Sequence, residues 1–296
     1  LVDKAFIPSY FKDIPARLKK LNPVKKINYN GTLVGGGTDL YVQIYDQLID
    51  QDVGLIADSP ELRFTKVEND VCTLGAGNTA TDLLESYEIQ AMFPQLREHI
   101  KLVASSPIRN IATLGGNFVN ASPIGDFTVF FLALNAKIIL TENSHNRTIH
   151  LKDFYKGYKD LNKSEEEIIS AISFEVPKGN SHFNFEKVSK RIHLDIASVN
   201  TAIQISVSDN KVTGVHLSAG GVGPIPMYLN ETCAFLQGKE LLPQNIKSAN
   251  EVLQSEISPI SDVRGSAGYK RLLLRQLFYA HFIKLFPNNF TLEHLI

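Results

Sequence analysis

Cysteine is scarce in this chain of 296 residues, which contains only Cys72 and Cys233. The two thiols lie far apart and form no C-x-x-C pair, so the chain's own cysteines cannot hold an iron–sulfur cluster or a structural zinc ion. This cysteine usage predicts a reducing, cytoplasmic location. It also predicts that both thiols are buried and pack as apolar residues.

An excess of charge of either sign is also missing, since 30 Lys and Arg residues stand against 31 Asp and Glu residues. The resulting net charge of −1 argues against nucleic acid as a partner. No apolar run in the sequence is long enough to span a membrane. The longest, Phe127–Leu134, ends at Asn135, whereas a membrane-spanning helix needs about 20 apolar residues. We therefore expect a soluble protein.

Targeting and catalytic motifs are lacking too. The chain begins at Leu1 without an initiator Met, and no charged segment leads into an apolar signal core, so we expect a trimmed piece of a longer protein. The eight histidines form no H-E-x-x-H motif or triad-like cluster. The sequence therefore predicts no metal site and no catalytic acid, base or nucleophile.

The residues that are present have ordinary globular proportions, with 44% hydrophobic and 21% charged. Their pattern predicts an α+β protein. The first part begins with an extended Ala5–Ile7, an amphipathic helix over Tyr10–Leu21, a strand over Thr32–Val34 and a helix over Asp39–Leu48. Further strands and helices follow, including a buried helix over Phe127–Leu134.

A polar, turn-rich stretch at residues 177–181 predicts a domain boundary near Lys178. The residues after it predict a three-stranded antiparallel meander, covered on one side by helices. The predicted strands are Phe183–Val188, Ile196–Val207 and Val212–Ala219, and the predicted helices are Leu229–Leu236, Pro243–Gln254 and Ala267–Phe286.

Three consecutive glycines stand between the predicted strand and helix of the first part, in the segment Val34–Leu40. Residues without side chains allow backbone N–H groups to converge on an anion such as a pyrophosphate. The segment lacks the lysine of a P-loop and the G-x-G-x-x-G spacing of a dinucleotide fold. A tight turn without a ligand remains the alternative.

A second cluster of small and hydrogen-bonding residues covers Ser105–Asn117 and continues over Ala121–Asp126. Such a segment can lie along a polyol chain or the edge of a heteroaromatic ring, because Gly115 and Gly116 allow close approach. Asp126 directly precedes the apolar helix, which favours interaction with the helix N-terminus over a role as a catalytic base.

Leu33–Leu40 and Ile108–Asp126, in this order and at this spacing, closely resemble the two FAD-binding loops of the molybdenum hydroxylase flavoproteins. Xanthine dehydrogenase and carbon monoxide dehydrogenase belong to that family. Ser258–Ala267 and Gly220-Gly221 resemble further motifs of the same family, so the resemblance spans nearly the whole chain.

The resemblance implies an FAD-binding fold of the vanillyl-alcohol-oxidase (PCMH) type over residues 1–178, in subdomains of about 1–52 and 53–178. It implies a C-terminal domain of the CO dehydrogenase flavoprotein type over residues 179–296.

The resemblance also implies which residues contact FAD. The pyrophosphate and nearby ribose would be cradled by Leu33, Val34, Gly35, Gly36, Gly37, Thr38, Asp39 and Leu40. The flavin and its ribityl chain would be lined by Val103, Ala104, Ala112, Thr113, Gly116 and Asn117, with Ser122 and Asp126 at the polar end of the ring. Ile168 and Ile169 would form the adenine-side wall.

Lys187 resembles a lysine that the family brings to the flavin, where it would stabilise negative charge on the reduced ring. Lys190 and Arg191 would belong to the acceptor side. A solvated strand edge is the alternative for all three. Asp262 and Arg264 are expected to form a structural ion pair.

The function implied by the resemblance is electron transfer. Electrons from a molybdopterin centre and two [2Fe-2S] clusters, all held by partner subunits or domains, would pass through FAD to NAD or another acceptor. A fused iron–sulfur domain upstream is one possible arrangement. The Ser258–Ala267 motif favours the xanthine dehydrogenase branch.

Two alternatives stay open: a freestanding FAD-dependent reductase of the same fold superfamily, and a scaffold that has lost its cofactor. We predict that Gly36→Val places a side chain against the pyrophosphate and abolishes FAD retention without unfolding the protein.

Overall fold

The computed structural model of the chain describes residues 1–21, 31–57 and 59–296. Near its start, a 3₁₀ turn over Ser9–Lys12 precedes a short helix α1, Ile14–Leu18. The expected long helix over Tyr10–Leu21 is wrong because Pro15 has no N–H to donate and its ring interrupts a continuing helix. The expected strand at Ala5–Ile7 is also wrong: Ala5 has a φ of 56° and donates its N–H to the Val2 carbonyl in a turn.

A small parallel pair of strands follows. β1, Thr32–Val34, pairs in parallel with β2, Val53–Leu55, and Thr32 lies opposite Val53. The expected helix between them is present as two pieces, α2 (Leu40–Gln43) and α3 (Tyr45–Leu48). They divide at Ile44, where φ is −136°, outside the helical region.

The next part of the chain is a five-stranded antiparallel sheet with helices inserted between its second and third strands. The helices are α4 (Ala80–Glu85), α5 (Tyr87–Met92), α6 (Leu96–Lys101), α7 (Ser106–Arg109), α8 (Leu114–Asn120) and α9 (Asp126–Leu132). The sheet has the order β3-β4-β9-β5-β6 and contains β3 (Thr65–Glu68), β4 (Val71–Gly75), β5 (Lys137–Glu142), β6 (His145–His150) and β9 (Ile168–Glu175). A separate short hairpin is formed by β7 (Tyr155–Gly157) and β8 (Asp160–Leu161).

The C-terminal part contains a second antiparallel sheet. Its long strands β10 (Ser181–Ser189), β11 (Ala197–Ser208) and β12 (Lys211–Gly220) confirm the predicted meander, and the two-residue β13 (Met227–Tyr228) extends it. Because β13 has only two residues, its sequence shows no alternation of apolar and polar side chains that would predict a strand. The predicted helices are present as α10 (Asn230–Leu236), α11 (Pro243–Glu256) and α12 (Ala267–Leu285), followed by the short α13 (Leu292–Leu295).

Helix α9 connects the two parts. It is buried on nearly every face, as its continuous apolar sequence predicts. Its phenylalanines join an aromatic cluster in which the rings of Phe130 and Phe183 lie 4.4 Å apart. From the second sheet, Ser218 donates its hydroxyl to the Val129 carbonyl of α9 at 2.6 Å.

A buried chain of hydrogen bonds also crosses between the two parts. His99 of α6 lies 3.3 Å from Asn184, whose amide lies 2.9 Å from His281 of α12. His281 in turn lies 3.4 Å from the Thr201 hydroxyl of β11. Full burial lowers the pKa of His281 to about 3, so its imidazole is neutral at pH 7.

Both cysteines are free and buried, as predicted, and burial raises the pKa of each thiol to about 12. Within the described residues, no helix is both long enough and apolar enough to cross a membrane.

Candidate functional site

The two glycine-containing segments meet in the structure. A Cβ atom added at Gly36 would overlap the carbonyl oxygen of Ile111, and one added at Gly35 would lie 2.5 Å from the Thr113 hydroxyl. Only a residue without a side chain allows this approach of one backbone to the other. The structure therefore brings the Leu33–Leu40 segment, far away in sequence, directly against the second segment.

The backbone of the first segment leaves hydrogen-bond donors unused. The N–H groups of residues 35–38 donate to no other described residue, although Gly37 is buried and the others are half-buried. Gly37 has a φ of 68°, and a side chain there would also overlap the ring of Tyr41. Four successive unpaired donors are unusual for partly buried backbone, and they provide a site for an anion.

Asp39, at the end of this segment, is directed towards α8 and the β7–β8 hairpin. Burial raises its pKa, and nearby Lys159 and a hydrogen bond with Asn120 oppose that rise. Lys159 donates to the Asn120 side chain at 3.0 Å, and Gln43 donates to the same oxygen at 3.3 Å. These contacts hold the first glycine segment against the end of α8.

The second segment begins α8 and ties it to α9. Thr113 precedes α8 and accepts a hydrogen bond from the Gly116 N–H at 3.1 Å. Asn117 accepts from both the N–H and the hydroxyl of Thr128, each at 3.2 Å. Thr113 and Asn117 thus have structural roles in addition to the flavin contacts expected of them. Ala112 is half-buried beside them, and Gly116 is exposed.

The turn between α8 and α9 determines where Asp126 lies. Ala121 has a φ of 50° and ends α8, and the Gly125 N–H donates to the Ser122 carbonyl at 3.0 Å. The Ser122 hydroxyl accepts from the Ile124 N–H at 3.4 Å. Asp126 then occupies the first turn of α9, where the helix dipole favours its charge, as the sequence predicts.

Asp126 forms a buried ion pair with Lys187 of β10. The Lys187 ammonium lies 2.6 Å from one carboxylate oxygen, and the Asn200 amide of β11 donates to the other at 2.7 Å. The Lys187 side chain is only 2% exposed. Burial raises the pKa of Asp126, and the neighbouring Lys187 and Asn200 act in the opposite direction. The positive charge of Lys187 is therefore largely compensated within the protein.

Sequence reasoning missed two residues of this region. Asn200 is one; it is fully buried, but β11 also contains Ser198, Thr201 and Gln204, so no signal in the sequence singles it out. Arg109 is the other, and its guanidinium donates to the carbonyls of Val103 and Ala104. Both of these carbonyls belong to residues expected to line the flavin.

The expected adenine-side wall lies in the first sheet. Ile169 is 4% exposed, belongs to the first core and pairs with Leu140 across the sheet, while Ile168 is half-buried. Hydrogen bonds among the described residues do not link either isoleucine to the glycine segments. Their role towards adenine stays a prediction.

A cavity of about 320 Å³ opens at the end of β10, lined among others by Lys190, Ser198, Arg264 and Tyr269. Ser198 lies two residues before Asn200 on β11, and residues two apart share a face of a strand. An irregularity in the β10–β11 pairing at Val188/Ser189 lies between the cavity and the Lys187–Asn200 pair, so this alternation does not place the cavity at the Asp126–Lys187–Asn200 cluster. Arg191 lies outside this lining and pairs with Asp195 at 3.6 Å.

The expected ion pair between Asp262 and Arg264 is wrong. Asp262 pairs with Lys270 of α12 at 2.7 Å, and Arg264 lies 3.5 Å from Asp195. A tight turn causes this exchange: the Gly265 N–H donates to the Asp262 carbonyl, and the Arg264 N–H donates to the Asp262 carboxylate. The Arg264 guanidinium then extends towards the loop after β10.

Two family models match the chain. Residues 9–178 match the model described as the FAD binding domain in molybdopterin dehydrogenase. Residues 184–285 match the CO dehydrogenase flavoprotein C-terminal domain.

Several known proteins are similar over most of the chain. The xanthine dehydrogenase of Emericella nidulans is 29% identical over 90% of this chain, which spans only 20% of that protein. The glyceraldehyde dehydrogenase medium chain of Sulfolobus acidocaldarius is 29% identical over 84% of this chain and 89% of its own length.

Among solved structures, a carbon monoxide dehydrogenase from Hydrogenophaga pseudoflava that lacks the Mo-pyranopterin moiety of its molybdenum cofactor matches with a TM-score of 0.78. It is 25% identical, and the match covers 83% of this chain and 86% of that one.

Proposed function

The chain belongs to the family of FAD-binding domains in molybdopterin dehydrogenases, and on that premise we propose that it is the electron-transfer module of a xanthine dehydrogenase-like molybdenum hydroxylase. Electrons would arrive from [2Fe-2S] clusters of a partner and leave to NAD or another acceptor. The observation that carries the proposal is the meeting of the two glycine segments, which leaves the N–H groups of residues 35–38 without a partner among the described residues.

The residues present fit FAD. The N–H groups of residues 35–38 have no acceptor among the described residues and suit the oxygens of a pyrophosphate. Val103, Ala104, Ala112 and Gly116 are small or apolar and only partly buried or exposed. They would leave room for the ring and the ribityl chain. A turn without a ligand would leave the four donors unsatisfied, which favours a bound cofactor.

When bound, FAD supplies the redox chemistry of the module, since flavins carry hydride and electron transfer. The protein's own residues bind the cofactor, orient it and set the charge around it. Lys187 would hold a compensated positive charge near the ring, because Asp126 and the Leu102 carbonyl occupy part of its ammonium. Asn200 fixes the orientation of the Asp126 carboxylate.

The upstream chemistry would reside on partners. With only two cysteines, both buried and distant in sequence, the chain cannot itself supply the thiolates of two iron–sulfur clusters. Its relatives include a protein named as a medium chain, and a xanthine dehydrogenase about five times as long as the matched region. These comparisons support iron–sulfur and molybdopterin-binding partners, as subunits or as fused domains. The free thiols support a cytoplasmic location.

The cavity beside Lys190 supports a nicotinamide nucleotide as acceptor. Lys190, Arg264 and Tyr269 in its lining suit an anionic, aromatic group, and the one carboxylate of the lining, Asp262, is paired with Lys270. Two of its lining residues, Ser189 and Ser198, lie two residues along β10 and β11 from Lys187 and Asn200. The match to the CO dehydrogenase flavoprotein C-terminal domain favours this function over a freestanding reductase.

The test has two stages. First, the absorption spectrum of the purified chain is recorded before and after incubation with FAD, and the flavin released by acid is identified. Second, NADH is added to the FAD-loaded chain without oxygen, and the loss of flavin absorbance is followed. We expect FAD binding and reduction by NADH. A chain that binds no FAD after reconstitution contradicts the proposal. Binding without reduction by NADH contradicts NAD as the acceptor.

A further inference from the structure

Three consecutive carbonyl groups in the loop after α6 are held by two cations. Lys187 donates to the Leu102 carbonyl at 2.8 Å. One nitrogen of Arg109, Nη1, donates to both the Val103 carbonyl at 2.8 Å and the Ala104 carbonyl at 2.7 Å. Its Nη2 donates to the Ser106 hydroxyl at 2.9 Å. Hydrogen bonds from charged donors are stronger than neutral ones, so the orientation of these peptide groups is fixed.

This orientation determines where the adjoining N–H groups point. In a trans peptide the C=O and N–H bonds point in opposite directions, and the described residues contain no cis peptide bonds. The N–H groups of Ala104 and Ser105 therefore point away from the Arg109 guanidinium. Neither donates to any other described residue, and both residues are half-buried.

The backbone at Ala104 requires such support. Its φ of 45° lies in the left-handed region, which an alanine adopts only when its surroundings impose it. Arg109 holds the carbonyls on both sides of the Ala104 α-carbon. The planar guanidinium reaches two carbonyls and a hydroxyl together, which the single ammonium of a lysine would not do with the same geometry.

We propose that Arg109 is a positioning residue for the cofactor: by holding the Val103 and Ala104 carbonyls, it directs the N–H groups of Ala104 and Ser105 at acceptor atoms of the flavin. This inference rests on the proposed function and extends it, because it names two donors and the residue that orients them. Arg109 acts from behind the loop, and its own donors are occupied by the protein.

The test compares Arg109→Met and Arg109→Lys with the control Arg97→Met in the full 296-residue chain. Arg97 is an exposed arginine on α6 with no hydrogen bond or ion pair to any described residue. Three quantities are measured: the FAD dissociation constant, the visible circular dichroism of the bound flavin, and hydrogen–deuterium exchange of the amides at residues 103–106 with and without FAD.

In the wild type and in Arg97→Met we expect FAD to slow exchange of the Ala104 and Ser105 amides. Arg109→Met is expected to raise the FAD dissociation constant about tenfold or more, lose this protection and change the flavin dichroism. Arg109→Lys is expected to lie between the two. A merely structural role would lower the melting temperature without changing the dichroism or the protection.

Three results would overturn the inference. An Arg109→Met protein with the wild-type dissociation constant and protection shows that the clamp does not position the donors. Unprotected Ala104 and Ser105 amides in FAD-loaded wild type refute the inference while leaving the proposed function intact. A wild type that binds no FAD refutes both.

Discussion

Gly36 is the position at which a single substitution tests the meeting of the two glycine segments. Its α-carbon faces the backbone carbonyl of Ile111, and a Cβ atom there would overlap that oxygen. Backbone atoms cannot rotate away as a flexible side chain can. In Gly36→Val the two segments must therefore move apart, towards the 3.4 Å at which ordinary van der Waals contact begins.

The sequence predicts that the new side chain in Gly36→Val meets the pyrophosphate directly, and the structure gives a different reason for the loss of FAD. The valine would act first on the Ile111 carbonyl, and it would disturb the pyrophosphate through displacement of the loop. Overpacking of this kind costs about 1–3 kcal/mol of folding stability, out of a total of about 5–15 kcal/mol for typical domains. The variant should therefore stay folded.

Cofactor affinity should fall much further than stability. A hydrogen bond to a charged group contributes about 1.5–3 kcal/mol, and a shift of about 1 Å takes the donor beyond hydrogen-bond distance. Loss of two of the four donors at residues 35–38 then raises the FAD dissociation constant by about 100-fold or more.

The assay is a fluorescence titration with FAD, combined with urea unfolding of the cofactor-free protein. Gly179→Val is the matched control, because a Cβ atom at Gly179 meets no atom within 4 Å and its backbone is not left-handed. The control should bind FAD as the wild type does. If Gly36→Val also keeps the wild-type dissociation constant, the contact between the segments is not needed for binding, and the reasoning fails.

Three further predictions concern buried or paired charges. Lys187→Met leaves the Asp126 carboxylate buried without its cation and should lower the free energy of unfolding in urea by about 3–5 kcal/mol. Adding Asp126→Leu should recover part of this loss. An unchanged urea midpoint in Lys187→Met would contradict the prediction. Arg147 lowers the pKa of Glu167 from its ordinary value of 4.5 to about 2. This carboxylate therefore stabilises the fold fully above pH 4.5, and its contribution declines as the pH falls towards 2. Glu167→Gln should remove this part of the acid dependence of stability, on the order of 1 kcal/mol after allowance for solvent screening. Burial lowers the pKa of His281 from its ordinary value of 6.5 to about 3, so stability should decline as the pH falls below 6.5. Chemical denaturation at pH 7 and pH 5 should show a smaller decline in His281→Gln than in the wild type. An equal decline in the two proteins would assign the effect to other groups.

Much of the fold can be predicted from local pattern. Helix α9 is predictable because its apolar run is continuous and directly follows Asp126. The meander is predictable because its β-branched residues alternate over long strands. Short elements without a full period, such as β13, give no such signal. The amphipathic pattern of Tyr10–Leu21 favours one helix, but the break that Pro15 imposes outweighs it in the structure.

The polar partners of the site are harder to predict. Asp262 and Arg264 are near in sequence and opposite in charge, yet each pairs with a residue from another segment. Arg109 lies within the second cluster of small residues, but its role depends on how the loop folds back over its guanidinium. Contacts of the cofactor with individual residues stay predictions, and so does the division of the chain near Lys178.

The sequence by itself determined the α+β pattern, the two glycine segments and, through their resemblance, the family to which the chain belongs. These follow from local chemistry: residue spacing, backbone freedom at glycine and apolar periodicity. Only the tertiary structure decided that Gly36 packs on Ile111, that Lys187 reaches Asp126, and that Arg109 holds two carbonyls. The first two contacts join segments that are far apart in the sequence and become neighbours only on folding. The third depends on the left-handed turn at Ala104, which no side-chain pattern in the sequence encodes.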